Sequence, residues 1–379
     1  MWLDWLLLIV GMLLLIKGAD YFVDGASKIA KAMKIPTLII GLTLVSMGTS
    51  APELSVSLKA ALKDSSDLSF GNVVGSNIFN TFFILGVATF FVPLAISKDM
   101  KKYDIPIMVG LYGLMLLFGF VTSPYKLDLL ESIIFIVLFV SYIALLIYRA
   151  KKGKEEVEET QEAPATIKNL VLCVILAVAG VLAYLGENNE LLNYISLATM
   201  VIFVTLMLIK IKKPFNFKSN KVVIILNILF VIAGLVAIVG GGTMVVGSAK
   251  SIASALGMSE AIIGLTIVAV GTSLPELVTS AVASIKKEND IAIGNVIGSN
   301  IFNILFILGI SSSISNLKIS QTVSFGVSES LIDLFVLLLS GVLVLLISLF
   351  GKNIKKWQGV IFILLYVGYV AYLILREFA

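Results

Sequence analysis

The stretch "GLTLVSMGTSAPEL", Gly41 to Leu54, returns as "GLTIVAVGTSLPEL", Gly264 to Leu277, with 10 of 14 positions identical. A second stretch, "GNVVGSNIFN" at 71–80, returns as "GNVIGSNIFN" at 294–303, with 9 of 10 identical. Both echoes carry the same offset of 223 residues, which also aligns Gly11 with Gly234 and Gly18 with Gly241. No net insertion separates the two motifs within either copy. The chain is a tandem duplication, and its fold must be assembled from two copies of one unit.

The solvent for that unit follows from composition. Hydrophobic residues make up 59% of the chain and charged residues only 14%, against about 25% charged in soluble domains. Apolar runs of roughly 20 residues, long enough as helix to cross a hydrocarbon core of about 30 Å, recur throughout. Unbroken runs such as "FVLLLSGVLVLLISLF" exclude the alternating pattern of a membrane barrel. The first segment, "MWLDWLLLIVGMLLLI", has no basic residue before it and no small-residue cleavage site after it, so a first span is expected rather than a cleaved leader.

Repeat one holds expected spans near 2–26, 36–62, 70–92, 104–123 and 127–149, and repeat two holds counterparts near 224–249, 260–285, 293–316, 326–350 and 356–376. The expected divisions are 1–149 for transmembrane repeat 1, 150–166 for a charged cytoplasmic linker, 167–212 for an extra transmembrane helix pair and 222–379 for transmembrane repeat 2. An odd number of spans separates the starts of the two repeats, so the copies are expected to be inverted. The fold class expected is therefore an all-α polytopic membrane protein with two inverted five-helix repeats, an additional helix pair between them and about 12 transmembrane helices.

Orientation follows from the basic residues. On this span count, six Lys and Arg fall on the side of the N-terminus, Lys17 lies inside the first span, and 21 fall on the other side. The positive-inside rule then puts both termini outside a cell membrane. The segment "GENNE" between the two extra helices has no basic residue while both flanks are Lys-rich, as that topology requires.

Each "GTS-x-PE" places two hydroxyls four and three residues before a carboxylate, on one helical face. Pro52 has no N–H for the carbonyl of Gly48 and crowds that turn, so the helix is expected to break there and free carbonyl oxygens. Lipid cannot satisfy them, and they must face protein or a polar cavity. In the second motif Ser76 and Asn80 are also four apart, and Gly75, with Gly298 in the other copy, allows close backbone approach. Thr272, Ser273, Glu276, Ser299 and Asn303 repeat the pattern.

The donor set is two carboxylates, hydroxyls, amide oxygens and carbonyls. The chain has no histidine, and its single cysteine, Cys173, can form no disulfide within it; in an apolar run that thiol is read as packing. Hard oxygen ligands of this kind suit Na⁺, Ca²⁺ or Mg²⁺ rather than zinc or copper. A carboxylate at membrane depth costs several kcal/mol, roughly 2.5 to 3.5 on insertion scales for Asp, and two facing each other repel further. Cations or protons must compensate them. One Ca²⁺ or two Na⁺ would neutralise the pair, and a third Na⁺ would make exchange electrogenic.

These four stretches resemble the two alpha repeats of the sodium/calcium exchangers in the cation/calcium antiporter superfamily, over close to 300 residues. The resemblance implies alternating access around a central site with one Ca²⁺ position ringed by Na⁺ positions. It implies as ligands the side chains of Thr49, Ser50, Glu53, Ser76 and Asn80 with Thr272, Ser273, Glu276, Ser299 and Asn303, joined by the backbone carbonyls of Ser46 and Ala269. In it, the first helix of each repeat slides across the rest. Gly11, Gly18 and Gly25 in one and Gly234 with Gly240, Gly241 and Gly242 in the other suit such movement and ordinary close packing equally.

Two departures stand out. Several relatives carry Asp where this chain has Asn303, which makes a potassium requirement less expected, and the extra helix pair has no counterpart in ten-span exchangers. Asp20 and Asp24 lack acidic counterparts at Thr243 and Gly247 and are read as interfacial charges.

The expected partners are Ca²⁺, Na⁺ and the bilayer, with no cofactor and no nucleic acid; a homodimer is left open. The rival within the class is a Ca²⁺/H⁺ exchanger, whose usual signature differs. A channel is a weaker fit to inverted broken helices, and an enzyme weaker still, since Thr49 and Ser50 have no histidine base.

Overall fold

A computed structural model describes residues 2–63, 66–122, 125–152, 167–185, 189–208, 220–257, 269–324 and 327–377. Residues 153–166 of the expected linker and 258–268, where the span expected at 260–285 begins, lie outside the described residues.

Repeat one begins with α1, Trp2–Met33, followed by the bent pair α2, Thr37–Thr49, and α3, Ala51–Leu62. Then come α4, Leu68–Phe91, α5, Met100–Thr122, and α6, Leu129–Lys152. The helix pair α7, Ile167–Leu185, and α8, Glu190–Leu208, precedes repeat two. That repeat holds α9, Asn220–Ala255, the stub α10, Ala269–Gly271, and α11, Leu274–Ile285. It closes with α12, Asn289–Ile314, α13, Glu329–Phe350, and α14, Lys356–Glu377. Among the described residues eight helices are long and apolar enough to cross a membrane, nine when the bent pair counts as one span. The shorter apolar helices Val174–Leu185, Leu191–Leu206 and Leu274–Ile285 fill the remaining expected positions.

Local chemistry sets the ends. α1 runs past its apolar stretch and stops at Lys34, whose φ of 56° is left-handed. There the Ile35 N–H reaches back to the Ala30 carbonyl at 2.9 Å, a cap that satisfies the last turn, and Pro36 prevents continuation. The residue 223 positions later, Gly257, also has positive φ, 82°, so α1 and α9 end at equivalent points. α6 opens with Asp128 as cap: the Leu130 N–H donates to Asp128 Oδ1 at 3.2 Å, and the Asp128 N–H to Glu131 Oε2 at 3.1 Å, a reciprocal box. It runs on to Lys152, three residues past the expected end, where Lys151 and Lys152 complement the last carbonyls and Arg149 is held by Asp104 at 2.7 Å. Its Leu130, Ile133, Val137 and Val140 are exposed, as a lipid-facing stripe requires.

The inversion is written in the crossing of α1 and α9. A Cβ on Gly11 would stand 2.9 Å from the Gly241 carbonyl, and one on Gly18 would stand 2.8 Å from that of Gly234. As the number rises in one helix it falls in the other, so equivalent helices run antiparallel. The 223-residue offset exchanges the two contacts, as a pseudo-two-fold axis between them demands. The extra pair packs on these same helices: a Cβ on Gly180 in α7 would meet Ala237 Cα of α9 at 2.6 Å. Leu172 and Leu176 of α7, Phe203 of α8, Leu7 and Leu14 of α1 and Met244 of α9 share one buried cluster.

Two short antiparallel strand pairs join the repeats, Leu94–Ala95 with Asn353–Ile354 and Lys126–Leu127 with Leu317–Lys318. Leu94 and Leu317, again 223 apart, are both fully buried.

Candidate ion-binding site

α2 and α3 meet at 48°, with the break at Ser50 (φ −82°, ψ 9°) and Pro52 in the first turn of α3. Ser273 (φ −92°, ψ 8°) and Pro275 do the same before α11. Each half-helix therefore begins with Ser-x-Pro-Glu, a capping-box spacing that sets the carboxylate at the positive end of the helix dipole. Neither serine caps its own helix. Ser50 Oγ donates to Glu276 Oε1 at 2.8 Å, and Ser273 Oγ donates to Glu53 Oε1 at 2.8 Å. The two motifs are thus cross-wired through the pseudo-two-fold axis.

Both carboxylates are fully buried, and the outer oxygen of each, Glu53 Oε2 and Glu276 Oε2, has no hydrogen-bond partner. The same holds for Ser76 Oγ, Asn80 Oδ1, Thr272 Oγ1 and Asn303 Oδ1. Leaving one such group unsatisfied costs about 1–3 kcal/mol, so six in the two motifs form a set that a cation would satisfy. No third acidic side chain joins the two glutamates in a cluster among the described residues.

The other motif residues are engaged with protein. The Ser46 carbonyl accepts the Ser50 N–H at 3.0 Å and lies 3.3 and 3.4 Å from the hydroxyls of Thr49 and Ser299. Gly298 lets α12 press on α2, since a Cβ there would stand 2.7 Å from Ser46 Oγ. Gly75 makes no such approach: a Cβ there would meet nothing within 4 Å, because the residue lines an open cavity with Ser76. Ala269 opens the short helical turn before Ser273.

Several residues escaped the sequence reading although the repeated motifs contain them. Asn72 donates to Ser57 Oγ at 2.9 Å and to the Glu53 carbonyl at 3.3 Å, and Asn295 repeats this with Ser280 and the Glu276 carbonyl at the same distances. These amides tie the turn carrying each glutamate to the neighbouring helix. Asn80 and Asn303 sit in wider π-helical turns, Phe79–Ile84 and Asn303–Leu308, which turn them relative to an even α-helix.

One element breaks the symmetry. Thr49 Oγ1 lies 3.0 Å from Asn295 Oδ1, whereas Thr272 Oγ1 has no such partner. Thr272 lines two cavities. One, about 440 Å³, reaches it past Pro52, Lys59, Gly242 and Lys250. The other, about 400 Å³, reaches it past Ser76, Asn72, Asp333 and Arg376. Both lie on the face of the N-terminus.

The opposite face is tied shut. Lys286 pairs with Asp20 Oδ1 at 2.6 Å and Asp24 Oδ1 at 2.5 Å, and Ser27 Oγ donates to Glu288 at 2.7 Å. Asp20 and Asp24 thus stand at the interface with α11 and outside the glutamate cluster, and their counterparts Thr243 and Gly247 offer no carboxylate for an equivalent tie.

A model of the family described as sodium/calcium exchanger protein matches residues 3–148 and 226–375. The sodium/calcium exchanger MaX1 of Methanosarcina acetivorans is 33% identical, with 98% of each chain covered. The inner membrane protein YrbG of Escherichia coli is 30% identical over 82% of this chain and 79% of its own. Among solved structures, the sodium-calcium exchanger NCX_Mj soaked with 10 mM Na⁺ and zero Ca²⁺ superposes with a TM-score of 0.69 at 26% identity, covering 97% of this chain and 98% of that one. The two matched segments are the two halves that the 223-residue echo defines, and the chain belongs to the sodium/calcium exchanger protein family, whose fold is that of a multi-pass membrane transporter.

Proposed function

We propose that this chain is a secondary antiporter that lets Na⁺ in and drives Ca²⁺ out across the cell membrane by alternating access. The observation that carries the reading is the set of six unpartnered oxygens, from Glu53, Ser76, Asn80, Thr272, Glu276 and Asn303, buried where two inverted halves meet. Glu53 and Glu276 bind Ca²⁺ and Na⁺ in turn. The hydroxyls of Thr49, Ser50, Ser76, Thr272, Ser273 and Ser299 mainly serve Na⁺, with the carbonyls of Ser46 and Ala269. Asn80 and Asn303 contribute neutral oxygens, and Gly298 lets the helix carrying Asn303 approach α2.

Two carboxylates limit what the site holds. One Ca²⁺ or two Na⁺ neutralise them, and a third Na⁺ leaves a net charge that makes the exchange cycle electrogenic. Residues 1–149 and 222–379 act as the two transport repeats, 150–166 as a cytoplasmic linker, and 167–212 as a peripheral helix pair. Both termini face outside, so the two cavities that reach Thr272 open outward.

The test is Ca²⁺ uptake into proteoliposomes under an imposed outward Na⁺ gradient, compared with pH and K⁺ gradients. Uptake that follows the Na⁺ gradient is the expected result. Uptake driven by ΔpH alone would identify a Ca²⁺/H⁺ exchanger, and flux indifferent to every counter-ion gradient would identify a channel.

A further inference from the structure

Two of the unpartnered oxygens, Asn80 Oδ1 and Asn303 Oδ1, belong to amides, and an amide can present either an acceptor or two donors. Only the acceptor suits a cation. We propose that Asn77 and Asn300, with Thr81 and Tyr112 behind Asn300, are positioning residues that fix which end of Asn80 and Asn303 faces the cavity. This rests on reading that cavity as the ion site.

The orientation follows from two backbone carbonyls, which can only accept. Asn77 Nδ2 donates to the Asn300 carbonyl at 3.2 Å. Its Oδ1 therefore points the other way and accepts from Asn303 Nδ2 at 2.9 Å. With its amide nitrogen so held, Asn303 turns Oδ1 toward the site. In the other half, Thr81 Oγ1 donates its one hydrogen to the Asn77 carbonyl at 2.8 Å. Its lone pairs then accept from Asn300 Nδ2 at 2.8 Å and from the Tyr112 hydroxyl, 3.4 Å away. Asn300 Oδ1 is left to accept from Asn80 Nδ2 at 3.1 Å, and Asn80 Oδ1 turns toward the site.

Asn77, Asn80, Thr81, Tyr112, Asn300 and Asn303 are all fully buried. A reversed amide anywhere in the relay would set donor against donor or oxygen against oxygen in a dry interior, where such an error is costly. The relay also has an asymmetry that makes it testable. The position equivalent to Thr81 is Ile304, so Asn77 reaches its carbonyl directly while Asn300 needs the hydroxyl of Thr81. Its removal acts on the Asn80 half first.

The experiment is Na⁺-driven Ca²⁺ uptake by full-length protein in proteoliposomes, with half-saturating Ca²⁺ and maximal rate measured separately. Thr81→Val keeps the volume and removes the acceptor, and we expect it to raise half-saturating Ca²⁺ by roughly five-fold or more; Thr81→Ser restores the hydroxyl and stays within about two-fold of wild type. Asn77→Leu and Asn300→Leu, if they fold, raise it by about ten-fold or more. Thr81→Val behaving as wild type, or Val and Ser being equally impaired, overturns the proposal. Glu276→Gln is the control for the site itself. If it abolishes exchange while Thr81→Val is silent, only the positioning role falls. If it leaves exchange intact, the ion site has been misread.

Discussion

Ser50 Oγ donates to Glu276 Oε1 at 2.8 Å across a sequence separation of 226 residues, and Ser273 and Glu53 form the mirror contact at the same distance. A Ser-x-x-Glu spacing at a helix start ordinarily closes on itself. Here each serine serves the glutamate of the other repeat, so neither half-site is complete alone. The exchange docks the two broken helices against each other and leaves one oxygen of each carboxylate unpartnered.

Removing one serine hydroxyl orphans a carboxylate oxygen in a buried site. Ser50→Ala and Ser273→Ala are each expected to lower the stability of the ion-free protein by about 1–3 kcal/mol and to weaken Ca²⁺ binding. Thermal denaturation in detergent, with and without Ca²⁺, checks this. Melting temperatures equal to wild type under both conditions would show that the cross-repeat bond contributes nothing.

Neutralising a glutamate should separate stability from binding. Glu53 and Glu276 are both fully buried and close enough to repel, with no third acid in their cluster among the described residues, so Glu53→Gln or Glu276→Gln removes a repulsion. The ion-free variant is expected to melt at or above the wild-type temperature. Its Ca²⁺-dependent stabilisation is expected to vanish, because ligand-linked stability requires binding to the native state. Exchange should fall by at least about a hundred-fold, the scale of losing a charge-assisted ligand worth roughly 3 kcal/mol. A Ca²⁺-induced shift as large as that of wild type would contradict the site.

Much of this architecture is legible in the chain. The 223-residue echo gives the duplication, and the span count gives the inversion that Gly11 and Gly241 display. Pro52 predicts the break found at Ser50. Four features are not legible, for physical reasons. The Ser50–Glu276 bond joins residues 226 apart in sequence, and no local period reveals a contact made by tertiary docking. The π-turns at Asn80 and Asn303 depend on how neighbouring helices press on the ladder, so even α-helical spacing misplaces those amides. Asn72, Asn77, Asn295 and Asn300 lie inside the repeated motifs, yet their type alone does not separate a residue that faces the ion from one that holds its neighbour. The C-terminal ends of α1 and α9 exceed the apolar stretch because helix continues where lipid ends, and hydropathy records only the lipid.

The pairing of Thr49 with Asn295 and the unpartnered state of Thr272 predict one-sided chemistry. In a background lacking Cys173, Thr272→Cys is expected to react with a membrane-impermeant thiol reagent applied on the N-terminal side, through the cavities past Pro52 and Ser76. Thr49→Cys, fully buried in the wild type, is expected to react at least about ten times more slowly from that side, since modification tracks exposure of the thiolate. Equal rates would mean that the two halves are equally open.

The tie between Lys286 and Asp20 with Asp24 has no counterpart among the described residues of the other half, where Lys63 stands at the position equivalent to Lys286 and Thr243 and Gly247 at those equivalent to the two aspartates. It therefore biases closure toward one face. The pairs are partly exposed, 21% for Lys286 and 41% and 55% for its partners, so each contributes about 0–1 kcal/mol and is screened by salt. Lys286→Gln should then raise the population open to the opposite face by roughly two- to five-fold, the change that about 0.4–1 kcal/mol produces. The reporter is Thr49→Cys labelled from that opposite face: faster in Lys286→Gln, faster in wild type at high salt, and unchanged in Lys63→Gln. Labelling that ignores both Lys286 and salt would show that closure of this face does not depend on the Lys286 tie.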